Sequence, residues 1–484
     1  VGTADRGHAQ RHGGRNRRAG EGLEGVARVL VADLTWREGA FRSDLAVEIG
    51  ADGRIVRVAP AREIAGPGPE RLTRRALLPG FVNTHSHAFQ RLLRGRVQWR
   101  PAGAEADFWS WRRSMVTLAL ELSPDDVESV SRFAFLEMLH AGITTVGEFH
   151  YLRRDTDGRP YADPHEIAER VVAAARDVGL RITLLDAAYA TGGIEAPIEL
   201  SQRRFATPDL EAFLAGTDEL RGRFAGVPSV TVGIAPHSVR AVPRSWLGAM
   251  AEWAAQRSAP LHAHVSEQAA EVEACAAAYG RRPVELLSDE GALGPGFTAV
   301  HATHVDSAEI ELLAAAGVTV CACPTTERDL GDGILPAAEL VAAGVEIALG
   351  TDSQVVIDPF EEMRALEGHE RLRSGRRVVL GAVRGDRLES APALLAMAAE
   401  AGSHSLGLGA GRIEADAWAD LVGVDLDHPA LAGAREDTLA AMLALSAPAN
   451  VVADVWVAGE RRLEGRGHPL DEEAAAAYAA VAGR

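Results

Sequence analysis

Between residues 77 and 405, short apolar runs alternate with amphipathic helical patterns, and this rhythm constrains the fold more than any other property of the 484-residue chain. Eight such runs are counted, among them 77–83 (LLPGFVN), 143–148 (ITTVGE), 181–186 (RITLLD), 230–235 (VTVGIA), 260–265 (PLHAHV), 297–301 (FTAVH), one through Cys321 and 345–350 (VEIALG). Strands covered on both faces read as continuous apolar runs, and the segments between them supply the covering helices. One of these, 123–140, has Ser123 as its N-cap, acids in the first turn and Gly142 just past its end. Others are expected over 163–178, 243–257, 266–279 and 307–316. Eight β/α units predict an α/β fold, a (β/α)₈ TIM barrel spanning 77–405.

The flanks have a different texture. VARVLVADL and LAVEIGADGRIVRVAP near the start, and 411–424 and 451–462 near the end, alternate and turn as short strands do. They predict a small β-sandwich built from both termini, its first part over 23–76 and its second, with the C-terminal tail, over 406–484. Residues 1–22 are rich in Arg and Gly and lack the apolar stretch of a secretory signal. They are expected to be a disordered extension.

Composition removes several chemistries. All 50 basic residues counted as Lys+Arg are Arg. Without lysine there is no pyridoxal phosphate Schiff base, no Walker A phosphate loop and no metal bridge by a carboxylated lysine. A net charge of −18 disfavours nucleic acid and anionic membrane surfaces, and no apolar run reaches membrane-spanning length. The three cysteines cannot build a disulfide framework, which points to a reducing, cytoplasmic setting.

Barrel enzymes carry their chemistry at the C-terminal ends of the strands. The first run ends in Asn83-Thr84-His85-Ser86-His87, and the fifth contains His262-Ala263-His264 followed by Ser266-Glu267. The sixth ends at His301, with His304 beyond, and the eighth in Gly350-Thr351-Asp352. Side chains at i and i+2 of a strand point the same way, so His85 and His87 can hold one metal ion. His264 adds a third imidazole and Asp352 a carboxylate, a donor set suited to one divalent ion, zinc first, with iron or manganese as alternatives. Glu267, three residues past His264, is placed to shuttle protons. His262 is expected on the other side of the strand from His264, in the core. Cys321 and Cys323 are read as small buried side chains.

With these residues in place the chain resembles the amidohydrolase superfamily. The tail stretch Gly411-Arg412-Ile413-Glu414-Ala415-Asp416-Ala417-Trp418-Ala419-Asp420-Leu421-Val422 is similar to that superfamily's G-x-I-x-x-G-x-x-A-D-L-V, departing from it at Ala417. The absent lysine points to the mononuclear deaminase branch. The resemblance then implies His85, His87, His264 and Asp352 as metal ligands, and Glu267, His301 and Asp352 as catalytic. Asp352 would accept a proton from water and His301 would stabilise the tetrahedral intermediate. The stretches His85–Gln90, Phe108–Arg112, Glu148–Tyr151, Ala235–Val242 and Leu261–Gln268 resemble one family of the branch, the formimidoylglutamate deiminases. That resemblance implies a dicarboxylate small-molecule substrate, met by Gln90, Arg112, Tyr151, His237 and Arg240, and a homodimer. Arginine suits such a substrate because its planar fork binds carboxylate bidentately. Arg240 is expected just past strand four and Arg112 in the long loop after strand one. Deaminases of guanine, cytosine or adenosine derivatives are the alternative, for which Trp109 and Trp111 would offer stacking. A non-catalytic member of the fold would be expected to lose metal ligands, which this chain keeps.

Overall fold

The computed structural model describes residues 26–64, 68–104 and 106–484, so the extension expected over 1–22 lies outside the described residues. The middle of the chain forms eight parallel strands: β1 (Phe81–Ser86), β2 (Ile143–His150), β3 (Arg181–Ala188), β4 (Val230–Pro236), β5 (Leu261–Val265), β6 (Phe297–His301), β7 (Thr319–Ala322) and β8 (Glu346–Leu349). They pair in chain order from β1 to β8. The ring closes between its first and last members. Asp352 N–H donates to His85 O and His87 N–H to Asp352 O, both at 3.0 Å, forming a parallel bridge between Ser86 and Asp352. The TIM barrel read from the alternation is therefore present, and its closing seam lies at the ends that carry His85, His87 and Asp352.

The expected first run, 77–83, divides between two sheets. Residues Glu70–Pro79 form a strand outside the barrel, and β1 starts only at Phe81. Pro79 ends the first strand and Gly80 makes the step. A Cβ at Gly80 would lie 2.2 Å from Thr144 Oγ1, so only glycine lets the chain pass β2 at that point. Helix α1 (Phe108–Ala119) follows β1, and α2 (Pro124–His140) begins with the reciprocal cap expected at Ser123: Asp126 N–H donates to Ser123 Oγ at 3.2 Å, and Ser123 N–H to Asp126 Oδ2 at 2.9 Å. The other expected helices appear as Glu166–Val178, Arg244–Arg257, Ala269–Tyr279 and Ser307–Ala316.

Strands from the two ends of the chain join in one mixed sheet. Val26–Arg37 pairs antiparallel with Ala40–Arg42 and Leu45–Gly50, and parallel with Glu70–Pro79. Glu70–Pro79 then pairs with Leu421–Asp425, which continues to Val452–Val457 and Glu460–Leu463. The sheet rolls around its own core of Leu30, Val47, Ile49, Leu77, Leu421 and Trp456. Its far parts meet at Ala419, whose N–H donates to Gly53 O and whose carbonyl accepts from Gly459 N–H, both at 2.9 Å. Between the last strands the chain leaves the sheet and lays helix Leu439–Ser446 beside the barrel, where Arg364 donates to Ala447 O at 2.7 Å. The sheet and the barrel floor are locked by Arg181 at the start of β3. Its guanidinium meets Asp420 at 3.2 Å with both side chains buried, and lies 4.2 Å from the Trp418 ring centre. Among the described residues no helix is long and apolar enough to cross a membrane.

Candidate active site

Four side chains converge at the C-terminal mouth of the barrel. Nitrogen atoms of His85, His87 and His264 and a carboxylate oxygen of Asp352 all lie within 4.8 Å of one another, and all four residues are buried. His85 Nε2 is 3.2 Å from His87 Nε2, which is 3.4 Å from His264 Nε2. Asp352 Oδ1 is 3.4 Å from His85 Nε2 and 3.3 Å from His87 Nε2. These separations fit one ion, since ligands about 2.0–2.1 Å from a tetrahedral zinc are roughly 3.3 Å apart.

The tautomers fit as well. His87 Nδ1 lies 2.9 Å from Phe149 O, and His264 Nδ1 2.8 Å from His237 O. A carbonyl only accepts, so Nδ1 carries the proton and Nε2 presents its lone pair inward. Burial pushes the His85 imidazole down to about 3 and lowers those of His87 and His264, which keeps all three neutral near pH 7. Burial alone would raise the Asp352 carboxyl, but the hydrogen bond with His85 and the neighbouring imidazoles hold it at about 2.

The backbone at this mouth is under strain. Ser266 (φ 49°), His301 (φ 71°), Ala302 (φ 53°) and Asp352 (φ 47°) all occupy the left-handed region, which non-glycine residues enter only when the surroundings hold them there. They stand where β5, β6 and β8 end.

Glu267 and His301 face each other above the cluster, with Glu267 Oε1 3.8 Å from His301 Nε2. His301 Nε2 is also 3.9 Å from Asp352 Oδ2, and its Nδ1 is anchored 3.3 Å from Glu327 Oε1. It is His301, and not His304, whose ring meets these carboxylates. His262 corrects the expectation made for it. It shares the face of β5 that carries His264, as a spacing of two requires, but lies deeper, with Nε2 3.3 Å from Ser405 O. Cys321 and Cys323 are buried and unbridged, with Cys323 beside His301 and Asp352.

The residues expected around a substrate form a second group at the rim. Gln90 Nε2 donates to Tyr151 Oη at 2.9 Å. The His237 ring packs edge-on to Tyr151 and Tyr189, with centroids 5.4 and 4.8 Å apart. Burial lowers the His237 imidazole well below its ordinary range, and the charges of Arg240 and Arg112 lower it further. Arg112 hydrogen-bonds to Tyr189 Oη. It sits on α1 and not in a loop, because Asp107 and Ser110 cap a helix there reciprocally. Arg240 Nη2 donates to Glu267 Oε2 at 2.7 Å.

Several residues of the mouth carry no signal in the spacing of the sequence. Tyr189 tethers Arg112, and Glu271 lies beside Arg240 with Oε2 3.7 Å from its Nε. Asp332 accepts from Gln268 Nε2, and burial followed by the charge of Glu267 pushes its carboxyl up to about 9. Behind the cluster, Glu148 accepts from Ser86 Oγ at 2.5 Å and from Ala88 N–H at 2.7 Å, and burial pushes it up to about 8. Gln354 Nε2 donates to Ser86 Oγ and to Asp352 O, tying the two sides of the barrel seam. The available signal for Glu327 and Asp332 is their position just after β7, in Thr325-Thr326-Glu327-Arg328-Asp329-Leu330-Gly331-Asp332.

Comparison with known proteins shows the family. The model of the amidohydrolase family matches residues 76–462. The chain belongs to the amidohydrolase family. Among its relatives is formimidoylglutamate deiminase of Pseudomonas aeruginosa, 37% identical over 438 residues that cover 90% of this chain and 94% of the relative. The structure of an amidohydrolase from Brucella melitensis superposes with a TM-score of 0.86 at 36% identity, covering 94% of this chain and 99% of that one. An adenosine deaminase from Xanthomonas campestris, solved with bound zinc, superposes with a TM-score of 0.79 at 27% identity, covering 95% and 98%. The deiminase and the adenosine deaminase differ in the substrate that their names carry, although this chain is similar to each over nine-tenths or more of its length.

Proposed function

We propose that this amidohydrolase hydrolyses N-formimidoyl-L-glutamate to N-formyl-L-glutamate and ammonia. The observation that carries the reading is the pair of guanidinium groups at the mouth: Arg112 on Tyr189 Oη, whose ring packs against His237, and Arg240 on Glu267 Oε2. A substrate with two carboxylates needs such cations, whereas a nucleobase needs stacking faces and amide donors. The formimidoylglutamate deiminase relative, matched over nine-tenths of the chain, supports the same reading.

In this proposal His85, His87, His264 and Asp352 hold one divalent ion, and the neighbour with bound zinc favours zinc over iron or manganese. The ion supplies the Lewis-acid activation of water that hydrolysis near pH 7 requires. Gln90, Arg112, Tyr151, His237 and Arg240 hold the glutamate moiety. Asp352 takes a proton from the attacking water at Oδ2, the oxygen turned toward His301. Glu267 protonates the imine nitrogen, and His301 donates to the developing oxyanion. A C–O bond forms at the formimidoyl carbon and the C–N bond to the terminal nitrogen breaks. Both water protons leave on ammonia.

The test is ammonia release by the metal-loaded protein from N-formimidoyl-L-glutamate, run beside guanine, cytosine and S-adenosylhomocysteine. Release from formimidoylglutamate alone is expected. Release from one of the others instead would overturn the roles given to Arg112, Tyr151, His237 and Arg240.

A further inference from the structure

The side chain assigned to hold a substrate carboxylate and the side chain assigned to deliver the proton are ion-paired to each other. Arg240 Nη2 donates to Glu267 Oε2 at 2.7 Å, with side chains 13% and 6% exposed. Arg240 Nε, 3.7 Å from Glu271 Oε2, has no hydrogen-bond partner among the described residues. Glu271 accepts from Glu267 N–H at 3.2 Å through that same oxygen, while its Oε1 is buried without a partner. One cation thus stands between two carboxylates in a nearly dry corner of the site, with donor and acceptor capacity to spare. While Arg240 Nη2 occupies Glu267 Oε2, that oxygen is closed to a substrate nitrogen.

An arriving carboxylate competes for the same planar fork, which has five N–H donors and reads carboxylate bidentately. The other groups facing Glu267 are not open to that competition. His301 is anchored through Nδ1 to Glu327, Glu271 is itself an acid, and Asp332, on the segment after β7, is held by Gln268. Arg240 is the group that hydrogen-bonds to Glu267 Oε2, at 2.7 Å, while His301 Nε2 stands 3.8 Å from the other oxygen, Oε1.

We propose that Arg240 couples recognition to chemistry: a substrate carboxylate draws the guanidinium away from Glu267, which frees Oε2 to carry a proton from the attacking water to the leaving nitrogen. Glu271 is the positioning residue of this device, because it keeps Arg240 at the mouth while the guanidinium changes partner. Of the two protons that the attacking water gives up, one passes through Glu267 and one through Asp352, and both end on ammonia, so the hydrolysis written above stays balanced with no further reactant. The inference rests on the dicarboxylate reading, and it makes one carboxylate a condition for turnover as well as a handle for binding. Binding energy from a remote group is then expressed in kcat.

The experiment compares kcat and KM of the metal-loaded wild-type protein for three compounds: N-formimidoyl-L-glutamate, N-formimidoyl-L-2-aminobutyrate, which lacks the side-chain carboxylate, and N-formimidoyl-4-aminobutyrate, which lacks the α-carboxylate. One of the two analogues is expected to lose kcat by about 100-fold, and added acetate is expected to restore a substantial part of it. In Arg240→Gln the kcat advantage of the parent compound over that analogue is expected to collapse toward unity. Two analogues that keep the parental kcat and lose only in KM overturn the coupling and leave the substrate reading standing. So does an Arg240→Gln protein that keeps the full kcat advantage. No ammonia from the parent compound overturns both.

Discussion

The floor and the rim of this active site are built on opposite plans. At the floor, His87 and His264 are oriented by backbone carbonyls at strand ends, and His85 and Asp352 flank the seam that closes the barrel. At the rim, Arg112 is held by a tyrosine hydroxyl, Arg240 by two glutamates and Gln90 by Tyr151. Backbone partners cannot change without moving a strand. Side-chain partners can change by a rotation. A family that keeps one chemistry and varies its substrate has its constant parts on the first kind of support and its variable parts on the second.

The contrast breaks most readily at the floor. His264→Ala should remove bound metal, measured by elemental analysis of the purified protein, and take ammonia release below detection. If metal stoichiometry survives, the four-residue cluster is not the binding site. Glu267→Gln should keep the metal and lower kcat by roughly a thousand-fold, within the range for loss of a general acid. Normal turnover in that variant would remove Glu267 from the mechanism.

Rim variants should leave the metal in place and act on the substrate. Arg112→Ala should lower kcat/KM for formimidoylglutamate by about 10–100-fold, mostly through KM, as expected for a lost charge-assisted hydrogen bond. Tyr189→Phe removes only the tether of Arg112, and its effect on kcat/KM should stay below about tenfold. A larger loss in the tether variant than in Arg112→Ala would mean that Tyr189 meets the substrate itself.

A further effect separates the floor from the rim by stability and not by activity. Glu148 is buried behind the cluster and pushed from 4.5 to about 8. Between those pH values the unfolded chain has released this proton and the folded chain still holds it. Unfolding therefore becomes relatively easier as pH rises through that window, and the loss levels off above about 8. Glu148→Gln lacks this term. Urea unfolding at pH 5 and pH 8 should show a smaller decline in the variant than in the wild type, and equal declines would place the Glu148 proton elsewhere.

What was legible in the sequence follows the same division. The barrel strands, the His85–His87 pair and the place of His264, His301 and Asp352 rest on local rules, an apolar run and a spacing of two, which act within a few residues. The partition of 77–83 between two sheets was hidden because Leu77 and Leu78 are as apolar as Phe81 and Val82, and only the packing of Gly80 against Thr144 separates them. Tyr189, Glu271, Glu327 and Asp332 were hidden because each is a single residue whose partner is set by strand register or by a loop path. The setting of Arg112, on a helix and not in a loop, was hidden because its only local sign is the reciprocal cap of Asp107 and Ser110.

The lock between Arg181 and Asp420 bears on how such a gene can be cut and joined. A fragment ending near residue 405 would keep the guanidinium in the barrel floor and discard the carboxylate that meets it. Leaving one half of a buried ion pair alone costs about 3–5 kcal/mol, a large share of the stability of most single domains. The barrel is thus not a portable module, despite being the part that holds the chemistry. Its two flanking segments, far apart in the reading frame, have to be inherited together, and recombination that swaps one without the other should yield insoluble protein.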